Sequence, residues 1–406
     1  MTERSEVERE PRPILTTALA FSSFLAPLGI DGFIPAMVAL AAAFESDVGR
    51  IQFALGAFFL GGAIGQAVIG PLADRFGRRP TLLIGTALYS LSALLAVWAG
   101  DVAILIALRF IQGASASSGR IVSRAVIRDL YSRKNGAKVL AYMSVIGTSI
   151  PIFSPMITAQ LVQHFGWQAM FIFMAGASAA LFALLWYYVE ETLADKDAHA
   201  IRPAVIVLNF IEIVKNRDFQ IYGSLAVMPA MGLSAFLTGS SAVLIGGLGL
   251  DPTTFSYAFA LMMVANTIAS FTNARLVVRF GFTAMLLAGV SLAALGGLSE
   301  LALAVAGVQS VSAVIGPMMI YMTGMALVMA PAQAGALVPF PDRAGAASSF
   351  IGIVQGLLTT MVSIIIGLLP RGSATSMAAI TAFAGIAMVG IYALGARRIR
   401  ASDLDK

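Results

Sequence analysis

The sequence predicts an all-α integral membrane protein: twelve transmembrane helices arranged as two pseudo-symmetric six-helix bundles. Three observations carry that expectation. Of 406 residues, 58% are hydrophobic and 12% charged, roughly half the charged share of a water-soluble domain, so lipid is the solvent for most of the chain. Windows of about twenty mainly apolar residues, the length that spans hydrocarbon as a helix, recur from end to end. One long polar connection then splits these windows into two groups of six, and a short motif repeats across the split.

In the first group the spans are placed at 14–37, 52–73, 81–100, 102–125, 139–162 and 168–189. In the second group they are placed at 220–246, 254–276, 282–306, 310–336, 346–369 and 374–396. Their interiors are rich in Leu, Ala, Gly and Met and lack the period-two alternation that a lipid-facing barrel strand requires. Span one follows Arg9 and Arg12 as a signal peptide would, but it runs on through Asp31 and Pro35, so it is read as a retained helix. The expected organisation is an N-terminal bundle over 1–189, a cytoplasmic linker over 190–219 holding Asp195, Lys196, Asp197 and His199, and a C-terminal bundle over 220–406.

Charge distribution orients these spans. The turns on one side carry Arg75, Arg78, Arg79, Arg128, Lys138, Lys215, Arg217, Arg275, Arg279 and Arg343, and both termini are basic. The opposite turns offer Arg50 and Arg371. The positive-inside rule therefore places both termini and the basic side in the cytoplasm. The net charge of +5 reflects these topology signals and not a nucleic-acid partner, because no aromatic platform accompanies them. Cysteine is absent and only two histidines occur, both in loops. No disulfide, thiolate metal site or catalytic nucleophile follows, and an enzyme, a cofactor or a metal is not expected. Nor is there a phosphate-cradling loop, so an ion gradient, or the substrate's own gradient, is the energy source left to this chain.

The most specific stretch is Gly70-Pro71-Leu72-Ala73-Asp74-Arg75-Phe76-Gly77-Arg78-Arg79, between spans two and three. Gly70 allows close backbone approach, Gly77 suits a tight turn, and Asp74 is an anion placed unfavourably at the end of its own helix. Asp74-Arg75-Phe76-Gly77 aligns with Val278-Arg279-Phe280-Gly281 between spans eight and nine, at an offset near two hundred residues, which points to a duplication whose second copy lacks the acid. The spacing resembles the loop signature of the major facilitator superfamily of transporters. That resemblance implies a conformational latch formed by Gly70, Asp74, Arg75, Gly77, Arg78 and Arg79, with Asp74 set against the start of span eleven near Gly345. Gly61-x-x-x-Gly65 and Gly352-x-x-x-Gly356 would let spans two and eleven pack closely, or would serve ordinary helix packing.

Charges inside hydrocarbon are costly and usually retained for function. Asp31 lies in Pro27-Leu28-Gly29-Ile30-Asp31-Gly32-Phe33-Ile34-Pro35, where glycines and prolines weaken regular helix. This stretch resembles the Asp-x-Tyr-Leu-Pro region of the Bcr/CflA drug-resistance exporters, a drug:proton antiporter branch, with Phe33-Ile34 in place of the usual continuation. Arg109-Phe110-Ile111-Gln112-Gly113 is similar to the superfamily's Arg-x-x-Gln-Gly signature associated with proton coupling. Asp31 and Arg109 sit at comparable depth, so an exchanging pair is expected, with a permanent structural pair as the alternative. Arg120 falls eleven residues on, on nearly the same helix face, and Arg124 one turn later. Arg120 could hold a carboxylate or phosphate on the cargo, or be structural, with Arg124 and Arg128 reaching the cytoplasmic headgroups. Glu300, near the outer end of span nine, is expected to be peripheral and partly wet. Gly147, Pro151 and Pro155 form a hinge in span five that resembles the antiporter signature only in part.

Substrate contacts are expected from Arg120, Gln112, Phe58, Met231, Phe236, Asn266, Met322 and Gln333. The resulting expectation is a secondary active transporter that exports small organic molecules or drugs in exchange for protons by alternating access. It would work as a monomer in a bacterial inner membrane, with small-molecule substrate, protons and lipid as its partners. A proton-coupled symporter or facilitator for an organic anion is one alternative, and a non-transporting ligand receptor or scaffold is another.

Overall fold

The computed structural model describes residues 12–196, 210–370 and 372–401. Asp197 and His199, the terminal arginines Arg4 and Arg9, and Arg371 lie outside the described residues. Among the described residues the expected spans are helical, although spans one, eight and nine are not built as the sequence suggests.

Span one is not a single helix over 14–37. It is built from α1 (Pro13–Ser23), α2 (Leu25–Asp31), a 3-10 turn (Ile34–Ala36) and α3 (Met37–Ala43). Phe24, at φ −110°, interrupts the ladder between α1 and α2. The second break follows from composition. Pro35 has no N–H to offer Asp31, and the Phe33 N–H bonds Ile30 O at 3.2 Å instead of closing a full turn. The helix therefore ends on Asp31 and resumes six residues later.

The next five spans are α4 (Val48–Phe76), α5 (Arg78–Ala96), α6 (Val102–Leu130), α7 (Arg133–Phe165) and α8 (Trp167–Tyr188). Asp101 starts α6 by accepting from Ile104 N at 2.8 Å, which satisfies one of the donors that open every helix. Pro151 and Pro155 stay inside α7, which runs without interruption for 33 residues.

Beyond the linker come α9 (Arg217–Ser240), which continues into a π-helical turn (Ser241–Gly247), and α10 (Pro252–Val305). Residues 254–276 and 282–306, expected as separate spans, fall within this one element. It turns at Gly281, whose φ of 80° and ψ of 164° only glycine adopts readily. Asp251 caps α10 by accepting from Thr253 N and Thr254 N at 3.0 and 2.9 Å. Its bond from the Thr254 hydroxyl, with these backbone bonds, holds the carboxyl below its ordinary value. The fold closes with α11 (Val311–Leu337), α12 (Ala344–Leu368) and α13 (Ala374–Ala401).

By contact the chain forms two compact units. One comprises Met1–Phe33 and Ala57–Arg202, the other Ile34–Gly56 and Pro203–Lys406. The stretch from Ile34 to Gly56 thus groups with C-terminal residues rather than with the first half of the sequence. Within that second unit Gln52 donates to Thr238 O at 2.9 Å and the Thr360 hydroxyl reaches Gly56 O at 3.3 Å.

Small residues set how closely helices approach. In the first unit a Cβ at Gly61 or Gly65 would strike the α6 backbone at Phe110 and Ala114, so this Gly-x-x-x-Gly pair seats α4 on α6. In the second unit Gly289, Gly296 and Gly324 draw α10 and α11 together, while Gly297 and Gly385 do the same for α10 and α13.

Candidate functional site

The break in span one creates the first site. A regular helix would satisfy the Gly29 carbonyl with the N–H of residue 33, but Phe33 N has turned to Ile30 O. Arg109, from α6, fills the gap: its Nη2 donates to Gly29 O at 2.7 Å, and its Nη1 donates to Gln112 Oε1 at 2.6 Å. The guanidinium carbon lies 4.4 Å from the ring centres of both Phe33 and Phe58. Two such contacts in a desolvated setting are worth about 2 kcal/mol or more each. Arg109 is wholly buried and Gln112 1% exposed. Gly29 is the residue that permits this approach, because a Cβ there would lie 2.9 Å from the Phe58 ring and the Tyr89 hydroxyl.

Asp31 is also buried, at 7% exposure. The expected Asp31–Arg109 pair is not formed. Among the described residues the Asp31 carboxyl makes neither ion pair nor hydrogen bond, and Arg109 spends its donors on neutral acceptors two and three residues away in their respective helices. The physical reason is the broken turn: a freed backbone carbonyl lies nearer the guanidinium than the carboxylate does. Gly32, next to the acid, packs against α7, where a Cβ would meet Ser154 Oγ at 2.8 Å, and Ser154 itself donates to Leu28 O at 3.4 Å. Gly147 of α7 is equally constrained, since any side chain there would strike the Phe24 ring. Gly147 and Ser154 of the predicted hinge segment thus contact the two breaks of span one, with Pro151 and Pro155 held inside the continuous helix.

Arg120 and Arg124 continue the strip of Arg109 towards the basic end of α6. Both are exposed, and neither makes an ion pair among the described residues. They flank the contact in which Ser22 and Ser123 share a 2.7 Å hydrogen bond and Gly119 sits on the Ser22 carbonyl.

The remaining expected substrate contacts fall into two sets. Phe58, Met231, Phe236 and Met322 are packed in helix interfaces, with Phe236 stacked on Phe259 at 6.2 Å. Asn266 and Gln333 line a common groove of about 320 Å³ between α10 and α11, together with Asn273, Met325 and Met329.

The basic turn after α4 is the second site. Gly77 adopts φ 115° and ψ 158°, a region reserved for glycine. Asp74 pairs with Arg78 Nη1 at 2.7 Å, and Arg78 Nε reaches Asp129 Oδ2 of α6 at 3.3 Å. Arg78 is 5% exposed, so these bonds anchor a buried cation. Glu191, just past α8, accepts from Arg78 N at 2.9 Å and Arg79 N at 3.3 Å, capping α5. Arg79 donates to Trp186 O at 2.9 Å and lies 5.2 Å over its ring, while Arg75 is exposed beside Phe76. Gly70 has open space beside its backbone.

The model of the Major Facilitator Superfamily matches residues 19–363. The chain belongs to that superfamily. It is 28% identical over 388 residues to a bicyclomycin resistance protein homolog of Haemophilus influenzae, covering 95% of this chain and 97% of that relative. It is 26% identical over 359 residues to multidrug resistance protein D of Escherichia coli K12, covering 88% and 89%. The crystal structure of the nucleoside transporter NupG shares the fold with a TM-score of 0.72 at 13% identity, covering 93% of this chain and 100% of that one. This superfamily member is thus a multi-pass membrane protein with several relatives that carry drug-resistance names.

Three residues of this superfamily chain were not singled out as site residues from sequence. Glu191 and Asp129 complete the basic turn, and Tyr89, wholly buried, places its hydroxyl beside Gly29 facing Arg109 and Gln112. The Glu190-Glu191-Thr192 run was a visible acidic signal at the end of span six. Tyr89 gave none.

Proposed function

We propose that this superfamily member exports small organic molecules in exchange for protons by alternating access, with Asp31 as the proton carrier. The observation that supports the reading is a buried, unpaired carboxyl at the broken turn of span one, beside an arginine held in place by neutral partners. A carboxylate left alone in a low-dielectric setting is costly, whereas a neutral acid is tolerated, so access to water or cargo decides its charge. Arg109 fixes the geometry of the broken turn and supplies the nearby positive field. The relatives' drug-resistance names support a cargo of the drug type. Asp74, at the end of α4, acts in this reading as a latch that times opening, and the protein works as a monomer in a bacterial inner membrane with both termini cytoplasmic.

Purified protein in liposomes with an imposed pH gradient tests the reading. Neutral, cationic and anionic solutes are offered while cargo and proton movement are read together. Wild-type protein is expected to extrude cargo against proton entry, and Asp31→Asn is expected to abolish the proton movement. Full proton-driven counterflow in Asp31→Asn overturns the assignment. The exposed, unpaired Arg120 favours a second reading, import of an organic anion, which predicts inward accumulation with the proton gradient and its loss in Arg120→Gln.

A further inference from the structure

The second unit holds a buried acid that the reading above does not use. Glu300, expected to be peripheral and wet, is 2% exposed, and neither of its carboxyl oxygens has a hydrogen-bond partner among the described residues. It lies one turn beyond Gly296 and Gly297, the positions where α10 is drawn tightly onto α11 and α13. The side chain therefore has no room to swing out to lipid headgroups, which is the ordinary escape for an acid near a helix end.

Two hydroxyl-bearing neighbours lie in range of it. From α13 the Thr381 hydroxyl faces the carboxyl, but that hydroxyl donates to Met377 O at 3.2 Å. From α11, Tyr321 is the titratable group in range, and its hydroxyl donates to Pro229 O at 3.1 Å. A carboxylic acid at Glu300 has an O–H that it can donate to the Thr381 oxygen. No Arg, Lys or His forms an ion pair with Glu300 among the described residues.

A cavity lies one helical turn from Thr381. This cavity of about 240 Å³ opens within the second unit between the π-helical turn and the start of α13, lined by Gln52, Val243, Gly246, Ser373, Ser376 and Met377. Met377 is one turn from Thr381, about 6 Å along the helix. The hydroxyls of Ser240 and Ser241 beside this cavity are buried without protein partners, and a π-helical turn is itself a frequent mark of a functional site.

The geometry points to Glu300 as a second proton-binding carboxyl, loaded from this cavity past Ser376, Met377 and Thr381. On loading, one proton adds to a carboxylate oxygen and the new O–H donates to Thr381 Oγ1; on release the proton returns along the same hydroxyl. The proposal rests on the proton-coupled reading for its purpose but not for its test.

Infrared difference spectroscopy of the full-length protein reads the carbonyl stretch of protonated carboxylic acids as pH is raised. Glu300→Gln is expected to remove one titrating band, and Thr381→Val is expected to shift that band by removing its hydrogen-bond acceptor. Ser376→Trp, which fills the cavity, is expected to slow hydrogen–deuterium exchange of the same band several-fold. Retention of every band in a monodisperse Glu300→Gln protein overturns the site, as does exchange unaffected by Ser376→Trp. Should Glu300→Gln fail to fold, the Thr381→Val shift decides in its place, and an unshifted band there counts against the proposal. Wild-type liposomes that move no protons while the Glu300 band titrates would sink the antiport reading and leave the proton site standing.

Discussion

The turn after α4 and the turn at Gly281 within α10 share one local geometry and differ in what surrounds them. Both place an arginine against the following phenylalanine, with guanidinium to ring distances of 5.3 Å in each, and both pivot on a glycine in the same positive-φ region. The first copy is seated: Asp74, Asp129 and Glu191 converge on Arg78 and on the start of α5. The second has Val278 at the position of the acid, 87% exposed. The shared part makes a sharp reversal between two membrane helices. The acids are an addition to that reversal, so they serve something other than turning the chain.

Substitutions at equivalent positions break the comparison open. The largest loss is expected for Gly77→Ala, where the backbone strain of about 1–3 kcal/mol is joined by collision with the Glu191 carboxylate. Gly281→Ala carries the same kind of backbone strain, and its melting temperature in detergent should fall less than that of Gly77→Ala. Equal losses would mean that Glu191 adds nothing to the seat. Arg78→Gln should come next, at about 1–3 kcal/mol, because it leaves Asp74 and Asp129 without a buried cation between them. Glu191→Gln should cost about 1 kcal/mol through the weakened cap of α5. The smallest effect, within about 0.5 kcal/mol, is expected for Val278→Asp, since the exposed position has no built receiver for the acid. A large gain of stability or transport in Val278→Asp would show that the acid alone confers the first copy's role.

Much of this was legible in the chain itself. The twelve spans follow from length and hydropathy, and the turn motif with its echo at Val278-Arg279-Phe280-Gly281 identifies the superfamily. Proline and glycine around Asp31 signal weakened helix, but not that it breaks at Phe24, because that break packs against Gly147 of α7. The depth argument brought Asp31 and Arg109 to the same level. It could not foresee that an unbonded Gly29 carbonyl would compete for the guanidinium. Glu191 meets Arg78 across 113 residues of sequence, and no local pattern encodes such a meeting. The Glu300 side chain was misplaced for a similar reason: its position near a helix end is a sequence property, whereas its confinement by Gly296, Gly297, Tyr321 and Thr381 is a tertiary one.

The arginine that replaces a missing backbone bond has a further consequence. Gly29 O accepts the guanidinium of Arg109 where a regular helix would give it the N–H of Phe33. Winding span one straight through residue 33 would bring a second donor to that oxygen, and removing Arg109 would leave the oxygen without its side-chain donor. The shape of span one and the seat of a buried cation therefore meet at a single oxygen atom, two residues from Asp31.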